Sequence, residues 1–176
     1  MKITMVMVSS ADGRITRGGT SGTSEWASAE DQKSYRELIK GADCLIMGAN
    51  TYRAARPHMK PDANRLRVIV TRDPEQFEED AALSGLHFTA ENPEAVVAGI
   101  KAEGHENVLL VGGSAINALF LDAGLVDDIF LSLEPKLFGD GLPLTGPLLD
   151  SIELQLVDYK KLNERGTLLL HYEVRR

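Results

Sequence analysis

The chain has 176 residues, 43% of them hydrophobic, a formal net charge of −7 and one cysteine, Cys44. That length and apolar content suit one domain, residues 1–176, with a sizeable core, and a lone cysteine excludes an internal disulfide and fits a reducing, cytoplasmic setting. The acidic balance argues against nucleic acid as a partner, and no apolar run reaches the length of a membrane span.

In chain order, the first apolar run, Ile3 to Val8, lacks a small-residue cleavage site and reads as a strand rather than a signal peptide. It ends in Ser9-Ser10-Ala11-Asp12-Gly13-Arg14-Ile15, where Asp-Gly makes a turn. Gly18, Gly19 and Gly22, interleaved with Ser and Thr, predict a mobile loop able to close over a ligand. Trp26 follows, as a packing residue or a stacking surface for a substrate. Ser28-Ala29-Glu30-Asp31 opens a helix in capping-box style. Yet Asp31 shares the apolar stripe of Tyr35, Leu38 and Ile39, where a carboxylate is costly unless paired or used, so it is both a cap candidate and a functional candidate.

Strands are predicted at 2–8, 43–48, 67–71, 86–88, 107–111, 128–134, 153–160 and 167–174, and helices at 28–40, 50–55, 75–83, 93–103 and 114–123. Alternation up to residue 134 predicts a largely parallel sheet covered on both faces, and the short connection 162–166 an antiparallel edge, giving an α/β fold. Residues 135–150, rich in Gly and Pro, predict an irregular surface excursion.

Three strands end in ligand-friendly chemistry. Met47-Gly48-Ala49-Asn50-Thr51 places a glycine at a helix start, with Asn50 or Thr51 as cap or ligand contact. Val70-Thr71-Arg72 ends in a hydroxyl and a guanidinium. Val111-Gly112-Gly113-Ser114 leads from a buried strand into a helix whose first N–H groups, on Ser114, Ala115 and Ile116, could receive a phosphate; a plain tight turn is the alternative. In an open α/β sheet such carboxyl ends share one ligand-binding edge. Residues 53–72 add Arg53, Arg56, Lys60, Arg65, Arg67 and Arg72 against the one acid Asp62, a basic stretch that suits a small phosphorylated ligand or is simply solvated. The four histidines, His58, His87, His105 and His171, lack metal-ligand spacing, so no metal is expected. Phe130, Ser132 and Glu134 share one strand face.

The segments Ser10–Ile15, Ser28–Lys40, Met47–Tyr52, Val70–Arg72, Val111–Gly113 and Gly124–Asp128 leading to Glu134-Pro135 together resemble the dihydrofolate reductase-like fold, and within it the riboflavin biosynthesis reductase domain of the bifunctional deaminase-reductase. The resemblance implies an NADPH-dependent reductase acting on a small pyrimidine, pterin or ribosylaminopyrimidine, working as a homodimer. By position, Val8 and Ile15 would hold the nicotinamide; Gly48, Asn50, Thr51, the cis pair Gly112-Gly113 and the helix from Ser114 through Ala115 and Ile116 the phosphates; Thr71 and Arg72 the adenosine end with its 2′-phosphate. Asp31 would be the proton source, with Asp12 second, and Ser10, Trp26 and Ser132 would line the substrate pocket. The chain departs from the riboflavin enzymes in having Val111 where they carry Glu and Ala55-Arg56-Pro57 where they carry Asp-Asp-Pro, and the deaminase domain is not found. Dihydrofolate reduction and a nucleotide-binding module without turnover are the alternatives.

Overall fold

The computed structural model describes residues 1–175 other than Thr20, Ser21, Ser24, Pro61 and Ala63. The chain runs β1 (Lys2–Ser10), α1 (Ala29–Lys40), β2 (Cys44–Gly48), α2 (Ala49–Ala55), β3 (Leu66–Val70), α3 (Glu78–Ala81), β4 (Leu86–Thr89), α4 (Pro93–Ala102), β5 (Asn107–Leu110), α5 (Ser114–Asp122), β6 (Asp128–Glu134), β7 (Leu154–Lys161) and β8 (Leu168–Val174). The eight strands form one sheet in the order β4-β3-β2-β5-β1-β6-β8-β7. The first six in this order pair in parallel, and β8 joins β6 and β7 antiparallel.

Local chemistry sets the helix ends. The Ser28 hydroxyl accepts the Asp31 N–H at 3.2 Å, and the Asn92 side chain accepts the Ala95 N–H at 2.9 Å ahead of a helix that begins at Pro93. After α5 the chain turns at Gly124, whose φ of 65° is open to a residue without a Cβ. The predicted helix 75–83 is instead a 3-10 turn over Pro74–Phe77 followed by the single turn α3. Its run of acids at Glu78, Glu79 and Asp80 suits a helix start, but little apolar surface remains to hold a longer helix on the sheet.

One core lies on each sheet face. Ile3, Met5, Ile46, Val68, Val108 and Leu110 pack with Val96 and Ile100 of α4 and Phe120 and Leu121 of α5. On the other face Val6, Leu45, Met47, Ile69 and Leu109 pack with Tyr52 of α2 and Tyr35, Leu38 and Ile39 of α1. Alternation along each strand divides the apolar residues between these cores. The loop expected to close over the sheet edge has Thr20, Ser21 and Ser24 outside the described residues; its first part is tied down where Arg14 bridges Pro143 and the Leu144 N–H reaches the Gly13 carbonyl at 3.1 Å.

Candidate active site

All six parallel strands present their carboxyl ends at one edge, which brings Ser10, Gly48, Thr71, Gly112 and Glu134 to the same side of the sheet. The strand order places a topological switch between β2 and β5. From β2 the chain passes through α2 outward to β3; from β5 it passes through α5, on the opposite face, to β6. The crevice between these two strand ends is where such sheets bind ligands.

Two helices begin at that crevice, each on a glycine. α2 has Gly48 as N-cap and α5 has Gly113, and neither has a side-chain cap hydrogen bond. The expected capping by Asn50 or Thr51 is corrected: the helix starts one residue early, at Ala49, because Gly48 itself takes the extended cap conformation, and Asn50 Oδ1 instead accepts from Arg53 Nη1 at 3.1 Å. The Gly48 N–H donates to the Gly112 carbonyl at 2.8 Å, joining the two turns. The space is tight at Gly48, where a Cβ would stand 2.8 Å from Ile116 Cγ1, while one on Gly113 would meet Thr51 Oγ1 at an ordinary contact distance of 3.4 Å. The Gly112–Gly113 peptide is cis. The result is a cradle of backbone at two helix N-termini, lined by Thr51 and Ser114, of the kind that accepts a diphosphate.

Beside the crevice the sheet opens. β5 pairs with β1 only from Lys2 to Met5, so Val6–Ser10 of β1 pair with β6 alone and their other edge faces the gap. Val8 lies in that stretch, opposite Ser132. Ile15 is buried nearby with its N–H on the Leu142 carbonyl at 2.8 Å. Thr71 follows β3, with its N–H on the Thr89 carbonyl and its hydroxyl accepting the Asp73 N–H at 3.3 Å; Arg72 next to it is exposed.

At the far side of β1 stand two carboxylates. Asp31 is 6% exposed, and burial raises its pKa above the ordinary carboxylate value; a hydrogen bond from Ser132 opposes the rise and the charge of Glu134 adds to it. Only half of the expected capping box forms: the Asp31 backbone N–H donates to the Ser28 hydroxyl, but the Ser28 N–H donates to Glu134, which leaves the Asp31 side chain to face Ser132. Glu134, 2% exposed, accepts the Ser28 N–H at 2.7 Å on Oε1 and the Thr167 hydroxyl at 3.0 Å on Oε2. It fastens the N-terminus of α1 to β6 and so sets where Asp31 stands. Glu134 escaped the sequence reading as a site residue, although its place two residues after Ser132 on the same strand face was the available signal.

The remaining candidates serve the surrounding turns. Asp12 accepts the Ser10 hydroxyl at 2.6 Å and the N–H groups of Phe138 and Gly139 at 3.1 and 2.7 Å, which hold its carboxyl down at about 2. Ser10 is fully buried and its Oγ also accepts the Arg14 N–H at 3.0 Å. Trp26 is buried edge-on against Phe138, ring centroids 5.0 Å apart, and its carbonyl accepts from Lys136 Nζ. Lys136, which gave no signal in sequence, is thus brought to the edge by the turn after β6.

The sheet order, the antiparallel β8 and β7, and the crevice between β2 and β5 define a dihydrofolate reductase-like α/β protein. The dihydrofolate reductase of Enterococcus faecalis, solved in complex with NADP(H), superposes with a TM-score of 0.71 at 18% identity over 99% of this chain and 97% of that one. The chain belongs to the RibD C-terminal domain family, whose model matches residues 1–168. It is similar to a pyrimidine reductase-like protein from Corynebacterium diphtheriae, with a TM-score of 0.81 and 17% identity over 99% of this chain and 92% of that one. It is also 28% identical to the 2,5-diamino-6-ribosylamino-4(3H)-pyrimidinone 5′-phosphate reductase of Methanothermobacter thermautotrophicus, over 73% of this chain and 74% of the relative.

Proposed function

We propose that this chain is an NADPH-dependent reductase of the riboflavin pathway, acting on a ribosylaminopyrimidine phosphate in the manner of 5-amino-6-(5-phosphoribosylamino)uracil reductase. The observation that carries the reading is the pair of glycine-started helices meeting at the switch point, Gly48 bonded to Gly112, in a space that side chains would fill. Family membership and the reductase name of the archaeal relative support the chemistry.

In this reading the N–H groups of Ser114, Ala115 and Ile116, with Gly48, Asn50, Thr51 and Gly113, bind the cofactor phosphates, and Arg72 beside Thr71 meets the 2′-phosphate, whose charge suits a guanidinium. The open edge of β1 at Val8 and the Ile15 carbonyl orient the nicotinamide, which supplies the hydride when bound. Asp31, its carboxyl raised by burial, is the proton source and is oriented by Ser132. Asp12, held near 2 and bonded to the turn at Phe138, positions that turn and is the weaker acid candidate. Trp26, Ser10 and Lys136 shape the substrate side of the edge. The protein works as a homodimer through the outer antiparallel strands. Leu154, Leu156 and Tyr159 of β7 stand on the same sheet face as Leu168, Leu170, Leu131 and Leu133, and the β7 residues are exposed, an apolar surface that matches a second copy of itself.

The test is calorimetric titration of NADPH into the wild type and Gly113→Ala, paired with an assay of NADPH oxidation on a ribosylaminopyrimidine phosphate and on dihydrofolate. The expected outcome is NADPH binding that Gly113→Ala removes without unfolding, and oxidation with the first substrate alone. Oxidation with dihydrofolate alone makes the protein a dihydrofolate reductase, and binding without any turnover makes it a nucleotide-binding module.

A further inference from the structure

The basic stretch 53–72 is not used up by the cofactor edge. Arg67, the second residue of β3, is 6% exposed, and its Nη2 donates to the Lys60 carbonyl at 3.1 Å. Among the described residues no carboxylate lies within ion-pair distance of it: Asp62 acts on it only through space and is itself paired with Arg65 at 3.7 Å. Burial pulls the Arg67 guanidinium below its ordinary pKa. The guanidinium nitrogens that make no hydrogen bond are not sealed off inside the protein, so Arg67 can meet a ligand on its open side. What it faces is a cavity of about 170 Å³, with Arg56 and Lys60 on its wall and Met59, Leu83 and Leu86 as apolar lining. Arg56 is held in place by Asp80, which accepts from its Nε at 3.0 Å and its Nη2 at 2.8 Å and also takes the Tyr52 hydroxyl at 2.7 Å. Arg56 is therefore paired with Asp80, while Arg67 and Lys60 have no carboxylate within ion-pair distance among the described residues. Arg67 sits four residues before Thr71, about 13 Å along the strand, so the cavity lies at the opposite end of β3 from the cofactor edge.

We propose that this cavity is a second ligand site, for a phosphate monoester carrying a small apolar body. The phosphate stands between Arg67 and Lys60 with Arg56 at its flank, and the apolar part lies on Met59, Leu83 and Leu86. A dianion supplies the counter-charge that Arg67 lacks, which explains a buried guanidinium in an otherwise apolar strand. The site rests on residues separate from those assigned to NADPH, so it stands or falls independently of that assignment.

Phenyl phosphate and inorganic phosphate are the probes, titrated calorimetrically into the full chain in a buffer low in other anions. Phenyl phosphate is expected to bind at least tenfold tighter than inorganic phosphate, to lose at least tenfold in Arg67→Met, and to keep wild-type affinity in Gly113→Ala, which alters the other anion-binding turn. Arg67→Met is expected to melt no lower than the wild type when no anion is added. Unchanged affinity in Arg67→Met, loss of binding in Gly113→Ala, or equal affinity for the two probes overturns the proposal. A lower melting temperature for Arg67→Met without added anion does the same, since it makes the guanidinium structural. Should Arg67→Met fail to fold, Lys60→Ala, at an exposed position, is expected to weaken phenyl phosphate at least threefold, and no change there is equally decisive against the site.

Discussion

β2 is buried along all five of its residues, whereas β7 is exposed along all eight, although both belong to one sheet. The difference is one of connection. Parallel strands need crossovers, and the helices that make them cover both faces, so Cys44–Gly48 has no side open to water. β7 returns to β8 by a short loop and brings no helix, so nothing of its own covers Leu154, Leu156 or Tyr159. The same difference separates the two kinds of surface. The parallel half gathers polar strand ends, glycines and helix N-termini at one edge, the place proposed for a small charged ligand, while the antiparallel half leaves apolar side chains of β7 exposed, the surface proposed for a second copy. Asp31 and Glu134 stand at the seam, between α1 and the strand β6 that belongs to both halves.

The sharpest way to break this division is at the seam. Asp31→Asn keeps the shape and removes the ionisable group, so turnover is expected to fall ~10²–10⁴-fold with NADPH affinity unchanged. The same variant carries a stability signature. A carboxyl whose folded pKa is raised by burial opposes folding above the ordinary carboxylate range, so Asp31→Asn is expected to melt higher than wild type at pH 7 and to lose that advantage as the pH falls below that range. Retained turnover together with an unchanged melting profile leaves Asp31 only as the first turn of α1.

On the parallel edge, Arg72→Ala is expected to weaken NADPH by about ten- to a hundredfold and NADH hardly at all, the loss of one hydrogen bond to a charged group. Equal losses for both cofactors would move Arg72 to the diphosphate. Gly48→Ala tests the tightness of the crevice itself: its Cβ meets Ile116 at 2.8 Å, and the strain is expected to cost about 1–3 kcal/mol in chemical denaturation. A neutral result shows that α2 and α5 can part.

On the antiparallel half, Leu156→Lys combined with Tyr159→Lys is expected to turn a dimer into a monomer in sedimentation velocity while leaving the monomer folded, because neither side chain is part of a core. A wild type that sediments as a monomer ends the homodimer reading. The smallest effect concerns Asp12. Its carboxyl is depressed to about 2, so the stability it contributes is present above its ordinary value and is lost as the pH falls towards 2. Asp12→Asn is expected to melt lower at pH 7 and to show a flatter melting profile between pH 4 and 2, and an unchanged profile would release Asp12 from the turn at Phe138.

Much of this was legible in the chain. The continuous apolar run of β2 announces two-sided burial, and the short connection 162–166 announces the antiparallel edge. Gly112-Gly113 ahead of a helical stripe announces a close backbone approach, and Asp31 on the stripe of Tyr35 announces a buried carboxylate. Arg67 was legible only as one member of a basic stretch, because alternation does not say whether a strand residue near a sheet margin meets water or the underside of a loop.

Periodicity, caps and turn residues act within a few residues of one another, and so the sequence alone determined the elements other than the helix expected over 75–83, their order, the parallel character up to β6 and the antiparallel hairpin at the end. Strand order and register depend on which apolar faces find each other across the folded chain. Only the tertiary structure therefore brought Gly48 against Gly112, set Glu134 under the N-terminus of α1, drew Asp12 into the turn at Phe138 and buried Arg67 beside a cavity. Each of these contacts joins residues at least seven apart in the chain, most of them far more, and their energies come from burial and pairing that no local pattern encodes.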